Sequence, residues 1–150
     1  MCLSKVKEIK LDFDKTVYKV LRKEIDKDGR VTYRSPYINT MSWEESVRNS
    51  EQKGVHLEDG EIYEGAYHSF MFFYSAMDEA ELLNKLITKI PIYKDSLPFN
   101  VEPGFPIVSH VIGEFTIPKD SKYVYEGEYR SFGATHTCYA SSDLILRKIL

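Results

Sequence analysis

Apolar positions alternate from Thr16 to Arg22, where Val17, Lys19 and Leu21 interleave with Tyr18 and Val20. Both sets carry apolar side chains, which predicts a strand covered on both faces. Asp26-Lys27-Asp28-Gly29 follows with turn chemistry, and Arg30–Tyr33 returns as the second strand of a hairpin that Ser35-Pro36 ends. Helical spacing appears once with strength. Ser75 and Asp78 read as an S-x-x-D start, and Ala80, Leu83, Leu86 or Ile87, and Ile90 recur at helical spacing, predicting a helix over about 76–90. Glu79 and Glu81 fall in its first turn and Lys85 and Lys89 towards its end, as the helix dipole favours, and Pro91 stops it.

Elsewhere the pattern is period two or absent. Ala66–Phe70 predicts a short strand before the helix, and Ile107–Ile117 a strand interrupted at Gly113 by a bulge. Pro118–Ser121 reads as a turn with Pro second, Lys122–Tyr129 as another strand, and Tyr139–Ser142 leads into a terminal strand at Asp143–Leu146. Ser42-Trp43-Glu44-Glu45 fits a capping box and predicts a short helical turn, with exposed loop over Asn49–Lys53. Prolines 91, 98, 103 and 106 predict a loop between 91 and 106. The expected architecture is a single α+β domain over 1–150: a mostly antiparallel sheet of about six or seven strands with one principal helix.

Composition changes this picture little. At 150 residues the chain can bury a core without disulfides or metal, and 43% hydrophobic with 29% charged residues excludes a disordered tail or a fibrous repeat. A net charge of −3 with basic residues scattered singly argues against nucleic acid as a partner. No apolar run reaches signal-peptide or membrane-span length, so the expectation is a cytoplasmic protein without a membrane partner. Eleven Tyr and eight Phe fit half-buried strands or a tyrosine-lined recognition surface.

Candidate chemistry is thin. Glu24, Asp26, Asp28 and Gly29 resemble the start of a calcium loop, but Ser35 stands where the bidentate carboxylate belongs, and a hairpin turn accounts for them better. His136 and Cys138, two apart, share one strand face without the further ligands of a zinc site, and no metal is expected. Cys138 reads as a small core residue, and no phosphate-binding or nucleophile-elbow motif is present. Tyr67, His68 and Ser69, hydrogen-bonding side chains just before a helix, are the candidate ligand- or partner-binding residues.

The ordered set Met1-Cys2-Leu3, Tyr18–Leu21, Ser35-Pro36-Tyr37, Tyr67-His68-Ser69-Phe70, Ile117-Pro118-Lys119 with Ser121-Lys122-Tyr123, and Ala140-Ser141-Ser142-Asp143 resembles a family of small uncharacterised phage and gut-bacterial proteins. That resemblance implies a mobile-element or accessory role. The chain is also similar, more faintly, to the ADP-ribosyltransferase-like fold, which implies NAD as cofactor. Arg22 would stand on the early strand, Tyr67-His68-Ser69 on the middle one, and Glu114 or the Glu126/Glu128 pair at the catalytic carboxylate. We therefore expect a binding or accessory protein with a protein or small-molecule partner and no cofactor. An NAD-using enzyme with Arg22, Glu114 and Glu128 as catalytic residues is the alternative, and a structural component of an assembly the third.

Overall fold

The computed structural model describes residues 3–36, 41–51, 56–58, 60–64, 66–89, 105–131 and 133–150. Two eleven-residue strands form its centre: β2 (Lys15–Ile25) and β8 (Ile107–Ile117) pair antiparallel from Lys15 opposite Ile117 to Ile25 opposite Ile107 without a slip. Their length follows from the alternation, since each has apolar side chains on both faces and so profits from cover on both. At the far end of β2 the chain reverses into β3 (Val31–Arg34). Asp26 Oδ1 accepts the backbone N–H groups of Asp28 and Arg30, and Gly29 supplies a φ of +80°. The Asp-rich segment is thus a hairpin turn.

Around this pair stand β1 (Ser4–Glu8), β4 (Arg48–Ser50), β7 (Tyr67–Phe70), β9 (Val124–Ser131), β10 (Ala134–Ser141) and β11 (Asp143–Ile149). The order across the sheet is β1-β9-β10-β7-β2-β8-β11-β4, with β3 sharing the β7 edge of β2. A separate two-stranded sheet joins β5 (His56–Glu58) to β6 (Glu61–Glu64). The expected count of six or seven strands is therefore too low: nine lie in one sheet and two in another, with α1 (Phe73–Lys89) as the helix. The additional strands are three to five residues long and mostly polar, so no hydrophobic period marks them.

Only Ser142 separates β10 from β11, although β7, β2 and β8 stand between them in the sheet. A connection that short forces the sheet to curl until its two sides meet. Inside the curl Val17, Leu21, Trp43, Phe115, Ile117, Val124, Tyr139, Leu144 and Leu146 form one buried cluster. On the outer face α1 covers a second, in which Ala76, Ala80 and Leu83 pack on Leu3, Val20, Phe70, Ile112, Cys138 and Ala140.

Several local expectations change. The helix begins at Phe73, three residues early, so its first turn holds no acidic residue and Glu79 and Glu81 lie beyond it. Ser75, buried within that turn, cannot cap it. Residues 42–45 form no helix: the Trp43 indole is buried against Tyr67 and Phe115, and its Nε1 donates to Ser35 Oγ at 3.0 Å. Burying that indole outweighs the local capping preference. Residues 48–50 of the expected loop pair with β11 as β4. The 118–121 turn closes from Ser121 N–H to the Pro118 carbonyl, placing Pro first in it. The expected loop lies, over 91–104, outside the described residues.

Gly113 marks no bulge in β8; the irregularity lies in β11, between Leu146 and Lys148. Glycine is required there by space. A Cβ would stand 2.6 Å from Phe115 Cε2, 3.0 Å from Leu146 Cδ1 and 3.1 Å from Leu21 Cδ1. Gly113→Ala is expected to lower unfolding free energy by about 1–3 kcal/mol through overpacking. Urea denaturation checks it; an unchanged midpoint would show that the Phe115 ring moves aside freely.

Candidate functional site

Period two divides the Tyr67-His68-Ser69 trio. Tyr67 and Ser69 point into the curl, where the Tyr67 ring meets Trp43 edge-on at 5.4 Å. His68 points to the helix-covered face, opposite Ala140. Ser69 is fully buried, and the His68 carbonyl accepts Lys19 Nζ at 2.9 Å. Burial, then the charges of Glu51 and Asp143, raise the Tyr67 hydroxyl above its ordinary pKa. The three residues thus share a strand without sharing a surface.

Arg22, Glu114 and Glu128 do not converge either. Arg22 is fully buried, its Nε 2.9 Å from Glu24 Oε1, and Arg34 Nε holds the other oxygen of that carboxylate at 3.3 Å. Glu114 pairs across β8 with Tyr18, four positions down the ladder from Arg22, roughly 13 Å along the strand. It lies 3.9 Å from Lys148 Nζ. Glu128 is on β9, with β10 and β7 between it and β2, and lies 3.5 Å from Lys5 Nζ. No carboxylate–guanidinium pair among these three addresses a common space.

Two polar centres secure the ends of the sheet. Opposite Arg22 stands His110, whose backbone N–H and C=O are both bonded by the Asn84 side-chain amide at 2.7 and 3.2 Å. Burial, and then the Arg22 charge, push the His110 imidazole down to about 4. At the opposite end Asp143 accepts hydrogen bonds from Ser50 Oγ, Ser142 Oγ and Arg48. Burial alone would raise its pKa; the bonds from Ser50 and Arg48 outweigh it and hold the carboxyl below its usual range. Arg48 also reaches Asp120 at 3.0 Å, pinning edge strand β4. Cys138 is buried and its thiol is pushed up to about 12, chiefly by desolvation, which makes it a poor nucleophile. Among the described residues no group of three His, Cys, Asp or Glu side chains is placed to hold a metal.

The exposed feature lies one step further along the chain. Phe72 and Phe73 are each 42% exposed, Tyr74 57% and Met77 38%. Phe72 and Tyr74 stack on each other, 5.3 Å apart and nearly parallel, and Phe73 rests edge-on against Tyr18 at 5.8 Å. Along the same outer side of α1 follow exposed Asp78 and Glu81. The signal was present in the sequence as the apolar run from Phe70 to Ala76. A strand-to-helix change inside that run turns part of it outward.

No protein-family model, curated protein or solved structure matches the chain. Among the described residues no helix is long and apolar enough to cross a membrane.

His110 supplies a pH signature. The unfolded imidazole takes its proton near 6.5 and the folded one only near 4, so between those values the unfolded chain binds more protons. Stability is expected to fall as pH drops from about 6.5 to about 4, by up to about 3 kcal/mol from this group, and its contribution then levels off. Denaturant titrations across that range test it: His110→Gln should flatten the slope, and an equally steep variant would assign it to another group.

Proposed function

We propose that this protein is a small binding or accessory protein whose contact surface is the start of α1, and that its partner is a protein segment carrying apolar side chains beside Lys or Arg. The observation that carries this reading is the exposed cluster Phe72, Phe73, Tyr74 and Met77. Contiguous exposed aromatic side chains of this kind typify interaction sites, and covering each is worth about 1–2 kcal/mol before association costs. Asp78 and Glu81, exposed on the following turns, extend the surface with negative charge and select a basic flank on the partner. The resemblance to small phage and gut-bacterial proteins agrees with an accessory role. Separation of Arg22, Glu114 and Glu128 weighs against NAD chemistry at those residues.

Fluorescence anisotropy with a synthetic amphipathic Leu/Lys helix and its Leu/Glu counterpart tests the proposal. The native chain should prefer the basic peptide, and Phe72→Ser/Tyr74→Ser should bind it at least about tenfold more weakly, with circular dichroism unchanged. Equal affinity for both peptides, or no loss in the double variant, would overturn it. So would nicotinamide release from NAD that Glu114→Gln or Glu128→Gln abolishes. Self-association that covers Tyr74 would instead favour a structural component.

A further inference from the structure

Lys19 stands near the middle of β2 between Val17 and Leu21, which both belong to the cluster inside the curl. On β7 the corresponding pair is Tyr67 and Met71, of the same cluster, and Ser69 lies between them. Tyr18 pairs with Phe70 across the antiparallel contact of β2 and β7, so the next rung sets Lys19 beside Ser69 on one face. Gly113 on β8 and Tyr139 on β10 continue that row. Among the described residues the β2–β7 ladder holds the Tyr18–Phe70 pair alone, and from Arg22 onward β3 takes over the edge. At this fork the Lys19 amine donates to the His68 carbonyl at 2.9 Å.

Folding leaves two groups here incompletely used. Among the described residues the His68 carbonyl is the only hydrogen-bond partner of the amine, and no carboxylate pairs with it. The Ser69 hydroxyl is 1% exposed and has no partner among them. An ammonium held among apolar side chains without a counter-charge gives up its proton readily. Burial accordingly pushes Lys19 down to about 8, against a smaller opposing effect of Cys138. The ionisable neighbours Tyr67, Cys138 and Tyr139 are all raised by burial and so uncharged at neutral pH, and Lys15 rests over the Tyr139 ring. A neutral amine that gives one N–H to a backbone carbonyl keeps its lone pair for an electrophile. We propose that Lys19 captures small aldehydes covalently, with the Ser69 hydroxyl donating to the carbonyl oxygen. The ammonium first loses a proton to water. Its nitrogen pair then bonds to the carbonyl carbon while the π pair moves to oxygen, and a proton passes from nitrogen to that oxygen. Departure of the new hydroxyl with the second nitrogen proton, as water, gives the imine; nothing is oxidised or reduced. The half-buried side chain admits a small reagent, and Leu21 and Met71 offer apolar contact to its alkyl chain.

Butanal with cyanoborohydride, which reduces the imine to a stable secondary amine, tests this on the full folded chain near neutral pH. Peptide mass mapping at low conversion should find Lys19 alkylated about tenfold or more faster than the exposed Lys5 and Lys148. Concentrated urea should erase that preference. Ser69→Ala should slow Lys19 several-fold with Lys5 and Lys148 unchanged, and Ser69→Thr, which keeps the hydroxyl, should restore most of the rate. The native-chain comparison decides the matter even if Ser69→Ala does not fold. Lys19 labelled no faster than the exposed lysines, a preference that persists in urea, or an unchanged rate in folded Ser69→Ala would overturn the proposal. The Phe72→Ser/Tyr74→Ser variant should be labelled as the native chain is, so failure of this site and failure of the peptide surface are read separately.

Discussion

Lys15–Ile25 and Ile107–Ile117 run past one another through eleven matched positions, and the remaining elements are placed by having to cover both faces of that ladder. Val17, Leu21, Phe115 and Ile117 face one way and Val20 and Ile112 the other. A sheet with two apolar faces cannot leave either to water. The helix takes one face. The other is closed by the sheet itself, which curls because a single residue joins β10 to β11 across the width of three strands. Trp43 seals the curl from a segment with no regular structure of its own, meeting Phe115 at 5.0 Å.

The same ladder explains why fully buried charge is tolerated. Arg22 sits in the row of Tyr18 and Val20, where the helix side is apolar, and its cost is offset by Glu24, which also takes Arg34. A buried guanidinium deprived of its carboxylate would be strongly unfavourable, so these side chains are bound to one another as parts of the framework. His110 completes the row with its imidazole held towards the neutral form, first by burial and then by the positive charge of Arg22. Asp143 plays the corresponding part at the other end, where the turn from β10 to β11 gathers hydroxyls and Arg48 around one carboxylate.

How much of this was legible depends on whether a local pattern had to agree with a distant partner. The β2–β3 hairpin was readable because its turn chemistry and its alternation lie side by side in Thr16–Tyr33. The helix was readable from Ala80, Leu83 and Leu86, though its start was not: Ser75 looks like a cap, and only the burial of Ser75 and Ala76 shows that the helix has already begun. Arg48–Ser50 and Ser4–Glu8 are strands only because β11 and β9 offer them an edge. Trp43 misled in the same way, since Ser42-Trp43-Glu44-Glu45 has the letters of a cap and the indole has a better place inside the curl. Glu79 has the look of a first-turn acid favoured by the helix dipole, yet it lies beyond that turn and is buried, with Ser131 of β9 donating to it.

The candidate surface follows from a change of period inside one apolar run. Had Phe70–Ala76 continued as a strand, its side chains would have alternated between two covered faces and none would have been left to solvent. As a helix from Phe73 onward, successive side chains advance by about 100°, so Ala76 and Ala80 reach the core while Phe73, Tyr74 and Met77 cannot follow them. Ala76, Ala80 and Leu83 stand where the helix meets the sheet, and Phe73, Tyr74 and Met77 where it faces out. Phe73 touches the rim of the outer core through Tyr18, whereas Phe72 and Tyr74 stack on each other. The proposed contact surface rests on that exposed aromatic cluster and on the acidic residues Asp78 and Glu81 beyond it.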